Sequence, residues 1–155
     1  MPPSAYDKAV QLLGVRPHFR RELGAKLARR GFPPEEVEAA LDRLAGQGYL
    51  DDRQAAASFV GSRLARGPEG RTRLRSELQK RGADPAAAAE ALAEMPDDDL
   101  PAAREAADAW DRKGGKDPMA LARHLARKGF SRRAIFALLK ERPDGSRLEE
   151  IEIEE

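Results

Sequence analysis

The side chains in this sequence best suited to chemistry are cations, and the chemistry they suit is the binding of a polyanion. Arginine and lysine are dense in residues 63–81 and again in residues 127–133. A helix beginning near Gly70 would place Arg71 and Arg75 on one face, because residues four apart share a helical face. Such a face could follow a phosphate backbone. The candidate contact residues are Arg63, Arg66, Arg71, Arg73, Arg75, Lys80 and Arg81, and then Arg127, Lys128, Arg132 and Arg133.

Three basic pairs, each standing directly before a glycine, allow two interpretations. The pairs are Arg29-Arg30, Lys80-Arg81 and Arg127-Lys128. Cations in the last turn of a helix stabilise it through the helix dipole, by roughly 0.3–1 kcal/mol each. Alternatively, a repeated fold would set the three pairs along one side of an elongated body, where they could contact a nucleic acid. Solvated arginine is also abundant in many alanine- and arginine-rich proteins, so charge alone leaves the choice open.

Residue types that usually carry catalysis are sparse, and we expect no enzyme activity, no metal site and no cofactor. The only two histidines, His18 and His124, lie far apart in sequence, and there is no cysteine for a thiolate site or a disulfide. Residues 67–70 read GPEG and lack the Lys-Ser/Thr of a phosphate-binding loop. The three aspartates of residues 97–99 stand between two prolines, which favours a solvated linker over a metal cluster.

A repeated spacing of leucine and glycine organises the chain. It reads Leu23-x3-Leu27-x3-Gly31-Phe32-x4-Val37-x3-Leu41, then Leu74-x3-Leu78-x3-Gly82-Ala83-x4-Ala88-x3-Leu92, then Leu121-x3-Leu125-x3-Gly129-Phe130-x4-Ile135-x3-Leu139. Leucines four apart give a helix one buried stripe. A glycine just past the helix end can adopt the left-handed conformation that terminates it. The pattern therefore predicts three copies of a helical hairpin.

One further helix is predicted before each hairpin. The first would begin after Ser4 and bury Val10, Leu12 and Leu13, and the third would hold Trp110, the only tryptophan. Side chains able to accept hydrogen bonds from the first helical N–H groups stand at several expected helix starts. These caps are Ser4, Asp51 or Asp52, Asp84, Asp117 and Ser131.

The sequence thus predicts an all-α fold of three tandem three-helix repeats, about nine helices, in an elongated, curved array. The repeats are expected at residues 4–48, 51–95 and 100–142. Residues 143–155 form an acidic tail that we expect to be disordered. Large aromatic residues are few and alanine is abundant, so the helices should pack closely around thin cores.

Charge is distributed in blocks that the net charge of +1 conceals. Residues 16–82 hold 15 basic and 9 acidic side chains, residues 83–111 hold 1 and 9, residues 112–140 hold 9 and 1, and residues 141–155 hold 2 and 7. Blocks of this size create strong local fields. The N-terminal sequence lacks the apolar core of a signal peptide, and no run is long enough to span a membrane. We expect a cytoplasmic monomer without membrane contact.

The stretch from Arg16 to Leu92 resembles the RecX family of recombinase regulators. Its most specific part is Gly48-Tyr49-Leu50-Asp51-Asp52 followed by Phe59-Val60-x2-Arg63, and Gly70-x2-Arg73-x3-Glu77-Leu78-x2-Arg81-Gly82 extends it. The resemblance covers about half of the chain, and the third repeat extends it more weakly. Departures stand at Phe19, Ala55 and Ala57, where the family usually has a capping serine, an aromatic residue and an arginine.

The resemblance implies a non-enzymatic regulator that binds RecA filaments on single-stranded DNA and inhibits their recombinase, ATPase and coprotease activities in SOS control. The candidate cations would then contact DNA, or an acidic filament surface, so the strand could be bound directly or through the filament. Two other functions fit the repeats and the charge. One is a stand-alone helical DNA-binding protein, and the other is a helical protein-interaction scaffold.

Overall fold

A computed structural model describes residues 1–142, which form nine α-helices and no strand. The helices are α1 (Ala5–Val15), α2 (Arg20–Arg29), α3 (Pro34–Gly46), α4 (Asp52–Arg66), α5 (Arg71–Arg81), α6 (Pro85–Ala93), α7 (Leu100–Arg112), α8 (Pro118–Arg127) and α9 (Arg132–Glu141). They follow one order three times, a leading helix and then a hairpin, which confirms the predicted all-α repeat fold. Residues 143–155, predicted to be a disordered tail, lie outside the described residues. None of these nine helices is long and apolar enough to cross a membrane.

Short polar side chains start several helices, as the sequence predicts. Ser4, Asp84 and Ser131 each accept a hydrogen bond from the N–H three residues on, at 3.1 Å in each case. Asp51 rather than Asp52 caps α4, because its carboxylate accepts the N–H groups of Arg53 and Gln54 at 3.0 and 3.4 Å. These bonds satisfy N–H groups that a helix start otherwise leaves without a partner.

The hairpin glycines end α2, α5 and α8 in the predicted left-handed conformation. The φ angles of Gly31, Gly82 and Gly129 are 90°, 81° and 90°. The next residue in each hairpin donates its N–H to the carbonyl five residues back, at 3.4, 3.0 and 3.2 Å respectively. This is the hydrogen-bonding pattern by which a left-handed glycine closes a helix C-terminus.

The helices are distributed over two compact units, and neither is a single stretch of chain. The first unit comprises residues 1–61 and 76–94. The second comprises residues 62–75 and, within the described chain, residues 95–142. Two of the three boundaries between the units therefore fall inside helices, α4 and α5, and the third follows residue 94.

Each unit has a core of aliphatic side chains in which alanine takes many positions. In the first unit Ala5 and Ala9 are fully buried against the leucines of α2 and α3, whereas Val10 is 44% exposed. The prediction that Val10 faces inward is therefore wrong. The small alanines lie four apart on the face that packs, so they allow α1 to approach its neighbours closely. The second unit has an equivalent core of residues from α7, α8 and α9.

Candidate functional site

The two units differ sharply in charge, and this separates the candidate cations into two groups. The first unit holds 11 basic and 12 acidic side chains, whereas the described part of the second unit holds 16 and 9. Lys80 and Arg81 belong to the first unit, and the nine other candidates belong to the second. The described part of the second unit therefore has a surplus of seven positive charges, the sign that attracts a polyanion, and residues 143–155 add one basic and six acidic side chains.

Glu69 lies at the centre of an ion-pair cluster in the second unit. Its side chain is 9% exposed, and both of its oxygens accept hydrogen bonds from Arg63, at 2.8 and 2.6 Å. Arg73, one helical turn along, approaches within 3.4 Å. A buried carboxylate needs such partners because desolvation penalises the charge. Arg63 and Arg73 therefore stabilise the turn between α4 and α5, which is a structural role beside any contact with a ligand.

Two glycines join the α4–α5 turn to the α8–α9 turn within the second unit. The Gly70 N–H donates to the Lys128 carbonyl at 2.7 Å. A Cβ atom at Gly70 would lie 2.0 Å from the carbonyl of Gly129, and one at Gly129 would lie 2.4 Å from the Arg73 nitrogen. Only residues without side chains allow this approach. The contact fixes the starts of α5 and α9, the helices that carry Arg71, Arg75 and Arg133.

These three arginines line a groove of about 690 Å³ together with Asp97, Asp98 and Asp99. The guanidinium of Arg71 donates to the Met95 carbonyl at 2.9 Å and lies 3.7 Å from the carboxylate of Asp97. Arg71 thus holds the chain segment that precedes α7. Arg75 and Arg133 are exposed at the same groove, so the structure brings three of the predicted cations together and leaves two of them open to solvent.

The candidates differ in how far the fold already uses their charge. Four of the candidate arginines in the second unit are exposed and form no ion pair with any other residue of the range 1–142, namely Arg66, Arg75, Arg127 and Arg133. Arg132 is also exposed, with its guanidinium 5.9 Å from the ring centre of Phe136. Lys128 is half-buried. The four unpaired arginines are therefore the candidates whose charge is most available to a partner.

In the first unit, Arg81 is committed to packing, whereas its neighbour Lys80 is exposed. The Arg81 guanidinium lies 5.2 Å from the ring centre of Phe19 and 5.1 Å from that of Phe59, and it pairs with Glu22 at 3.3 Å. Burial of Glu22 opposes its charged form, but hydrogen bonds from Arg16, Arg81 and the Phe19 N–H outweigh burial and lower its pKa to about 2. Arg81 therefore stabilises the fold of the first unit.

Sequence reasoning missed two carboxylates that tie a leading helix to the last helix of its repeat. Asp52 accepts the N–H of Asp84 at 3.0 Å, and also that of Arg20 at 2.8 Å. Asp99 accepts the N–H of Ser131 at 2.7 Å and its hydroxyl at 2.7 Å. Asp52 and Asp99 each precede that partner by 32 residues. Asp97 is fully exposed, as expected of a solvated linker, but Asp99 is half-buried and bonded.

The two histidines have different surroundings. His18 is buried, with Nδ1 2.9 Å from the Arg16 carbonyl and Nε2 2.9 Å from the Lys26 ammonium. Burial lowers the pKa of His18, so the neutral ring donates to the carbonyl and accepts from Lys26. The ring of His124 lies 4.8 Å from that of Trp110. Among residues 1–142, no group of three His, Cys, Asp or Glu side chains could hold a metal ion.

Models of known protein families match most of the first two repeats. The family model for the first three-helix domain of RecX matches residues 5–44, and that for the second matches residues 51–92. Among curated relatives, the regulatory protein RecX of Chromohalobacter salexigens is 41% identical over 128 residues, which is 80% of this chain and 83% of that protein. The regulatory protein RecX of Xanthomonas campestris is 38% identical, over 83% of this chain and 82% of the relative.

Another relative matches over a shorter stretch. The regulatory protein RecX of Chlorobium phaeobacteroides is 45% identical over 78 residues, which is 50% of this chain and 52% of that protein. Two solved structures share the fold at low sequence identity. The crystal structure of RecX from Lactobacillus salivarius has a TM-score of 0.72 and 21% identity, covering 88% of this chain and 93% of that one. A second crystal structure, of a regulatory protein RecX, has a TM-score of 0.73 and 24% identity, covering 89% and 70%.

Proposed function

This chain belongs to the RecX family, and we propose that it regulates the RecA recombinase by binding RecA filaments on single-stranded DNA. Bound to a filament, it would inhibit strand exchange, ATP hydrolysis and coprotease activity toward the SOS repressor. The protein performs no chemistry of its own in this proposal. Its effect is a shift in the equilibrium between active and inactive filament, which requires only that it bind one of the two more tightly.

The observation that carries the proposal is the cationic surface of the second unit. Four of its exposed arginines, Arg66, Arg75, Arg127 and Arg133, are candidates that form no ion pair within residues 1–142. Their charge is therefore free to replace the counterions of a phosphate backbone or to pair with an acidic protein surface. We propose these four as the primary contacts, with Lys128 and Arg132 beside them.

Four of the remaining candidates bond to other parts of the fold and therefore have structural roles. Arg63 and Arg73 hold Glu69, and Arg71 holds the carbonyl of Met95, so these three arrange the surface that the exposed arginines occupy. Arg81 holds Glu22 in the first unit. Substituting them should lower stability as well as binding. A binding defect there would not by itself identify a contact residue.

The test is a titration of the purified protein into RecA on single-stranded DNA, with DNA-dependent ATPase rate and filament assembly as the readouts. We expect saturable inhibition by the wild-type protein. The double variant Arg75→Gln/Arg133→Gln should inhibit only at higher concentration. Its apparent affinity should also depend less on salt, by a slope of about 0.7 for each phosphate of a single strand that the variant no longer neutralises.

A matched control removes the same charge from the first unit. Arg29 and Arg30 are exposed and form no ion pair within residues 1–142, so Arg29→Gln/Arg30→Gln leaves every described ion pair intact. This variant should inhibit nearly as well as the wild type. Unchanged ATPase and filament assembly at excess wild-type protein would show the proposal to be wrong. Salt-sensitive, sequence-selective binding to duplex without RecA would then indicate a DNA-binding protein, and binding to neither would indicate a scaffold.

A further inference from the structure

A cavity in the second unit combines a tryptophan with two lysines. Its volume is about 390 Å³. Its lining includes Trp110 of α7, Lys113 directly after that helix, His124 of α8, and Lys128 in the turn that follows α8. No acidic side chain is among the described residues that line it. Cavities of roughly 300–1,000 Å³ are typical of sites that enclose a small ligand or a group projecting from a larger one.

The indole ring of Trp110 is held in place from two sides. Its centre lies 4.8 Å from that of the His124 ring, with 33° between the ring planes. The backbone of Gly115 lies against its pyrrole side, where a Cβ atom at position 115 would be only 2.2 Å from the indole nitrogen. A fixed ring loses little conformational freedom when a ligand stacks on it. Trp110 is nevertheless partly exposed and lines the cavity.

The field around these rings is positive. Burial lowers the pKa of His124, and the cations Lys128, Arg127, Lys113 and Arg73 lower it further. The His124 ring is therefore neutral at pH 7 and adds a second flat surface without adding charge. Lys113 is exposed, so its ammonium can reach a ligand that extends beyond the cavity.

We propose that this cavity takes an unstacked base of a single-stranded nucleic acid, with Trp110 as the stacking surface and Lys113 and Lys128 contacting the flanking phosphates. Aromatic rings set among cations suit a single strand, because every base has a π face and every linkage a negative charge. The bases of a duplex are stacked on each other and cannot enter. This inference deepens the proposed function by giving the protein a direct contact with the strand, one that does not require RecA.

The test uses the full-length protein without RecA and the emission of Trp110, the only tryptophan in the chain. Titration with a short oligothymidylate should quench that emission and saturate. A strand of the same length with abasic sugars at every position carries the same phosphates. It should bind more weakly and leave the emission nearly unchanged. Equal quenching by both strands would overturn the proposal, because the signal would then report phosphate binding alone.

Two variants separate stacking from charge, with affinity measured by the anisotropy of a labelled strand. Trp110→Leu keeps an apolar side chain at the edge of the core but removes the π face, and it should weaken binding by about 5- to 150-fold. Lys113→Gln should weaken binding several-fold. Its control is Arg112→Gln, which removes the same charge from the neighbouring exposed residue that does not line the cavity. Circular dichroism checks the fold of each variant.

The outcomes also separate this inference from the proposed function. Strand binding that quenches Trp110, together with unchanged RecA activity, would support the inference and refute the proposed function. If Lys113→Gln weakens inhibition of RecA but not strand binding, the cavity is a protein contact, and the inference is wrong. Should Trp110→Leu fail to fold, the abasic strand and Lys113→Gln still test whether the cavity binds a base and its flanking phosphates.

Discussion

The two units are built from the same helical hairpin, yet they treat their charges differently. In the first unit, acidic side chains slightly outnumber basic ones, and arginines such as Arg20 and Arg81 are paired with carboxylates of neighbouring helices. In the second unit, Glu69 draws in Arg63 and Arg73, and a surplus of cations remains at the surface. A repeated backbone therefore does not imply a repeated surface. The first unit uses charge mainly to hold itself together, whereas the second has charge left over for a partner.

The largest expected difference lies between two glycines at the same position of the repeat. Gly31 and Gly129 both have a φ of 90°, but nothing lies within 4 Å of a Cβ atom at Gly31, whereas one at Gly129 would meet the backbone of Arg73 at 2.4 Å. Gly31→Ala should destabilise the protein by about 1–2 kcal/mol through backbone strain alone. Gly129→Ala adds overpacking and should reach about 2–5 kcal/mol. Urea unfolding measures the loss of stability in both variants. Equal losses would show that the backbone of Arg73 can move away from a Cβ atom at position 129 at no cost in free energy.

Acid should weaken the first unit through Glu22. Its pKa is lowered to about 2 from an ordinary value of 4.5, so its contribution is fully present above about pH 4.5 and is lost as the pH falls toward 2. The full shift corresponds to about 3 kcal/mol. Urea midpoints measured between these pH values should fall steeply for the wild type and more gently for Glu22→Gln. Parallel curves for the two proteins would count against this carboxylate as the source.

The two carboxylates that reach across a repeat should contribute similarly. Asp52→Asn and Asp99→Asn each weaken charge-assisted hydrogen bonds to N–H groups at the start of another helix. We expect each to destabilise the protein by about 1–2 kcal/mol, because a bond to a charged group is worth roughly 1.5–3 kcal/mol and the amide retains part of it. A loss of stability in only one variant would show that the two carboxylates contribute unequally, although each precedes its partner by 32 residues.

The smallest effect is expected at the exposed ion pairs of the two units. Arg53 pairs with Glu90 in the first unit at 2.5 Å, and Arg104 pairs with Glu141 in the second at 2.5 Å. Exposed pairs contribute little, because water screens them and ordering long side chains costs entropy. Arg53→Gln and Arg104→Gln should both leave the urea midpoint unchanged within error. A clear shift in either would reveal a cooperative network.

The sequence predicts the backbone of this protein better than its surface. The leucine spacing and the glycines mark the hairpins because these signals are local and follow from helical geometry. Phe19 shows where such reasoning ends. It offers no oxygen to cap α2, but it is 1% exposed beneath the Arg81 guanidinium, and Glu22 accepts its N–H at 3.2 Å. The missing cap is replaced by Asp52, 32 positions away in the sequence, whose carboxylate accepts the N–H of Arg20 at 2.8 Å.

The candidate site was predictable as a list of cations but not as an arrangement. Arg63 and Arg75 have the same charge in the sequence, yet Arg63 is bonded to the buried Glu69 and Arg75 is exposed without an ion pair inside residues 1–142. Which cation is used internally depends on contacts between turns, and local sequence patterns carry no information about those. The cavity at Trp110 could not be predicted for the same reason, since its lining comes from two helices and the turns beside them.

The interleaving of the two units along the chain has a consequence for synthesis on the ribosome. The first unit needs residues 76–94, and these emerge only after residues 62–75, which belong to the other unit. Residues 62–75 must then wait for α7–α9 before the Gly70 N–H can meet the carbonyl of Lys128. Contacts between such distant positions form late because the intervening chain must first be ordered. A nascent chain halted near residue 94 would leave Leu74, which is fully buried in the complete fold, without the helices α7–α9 of its own unit.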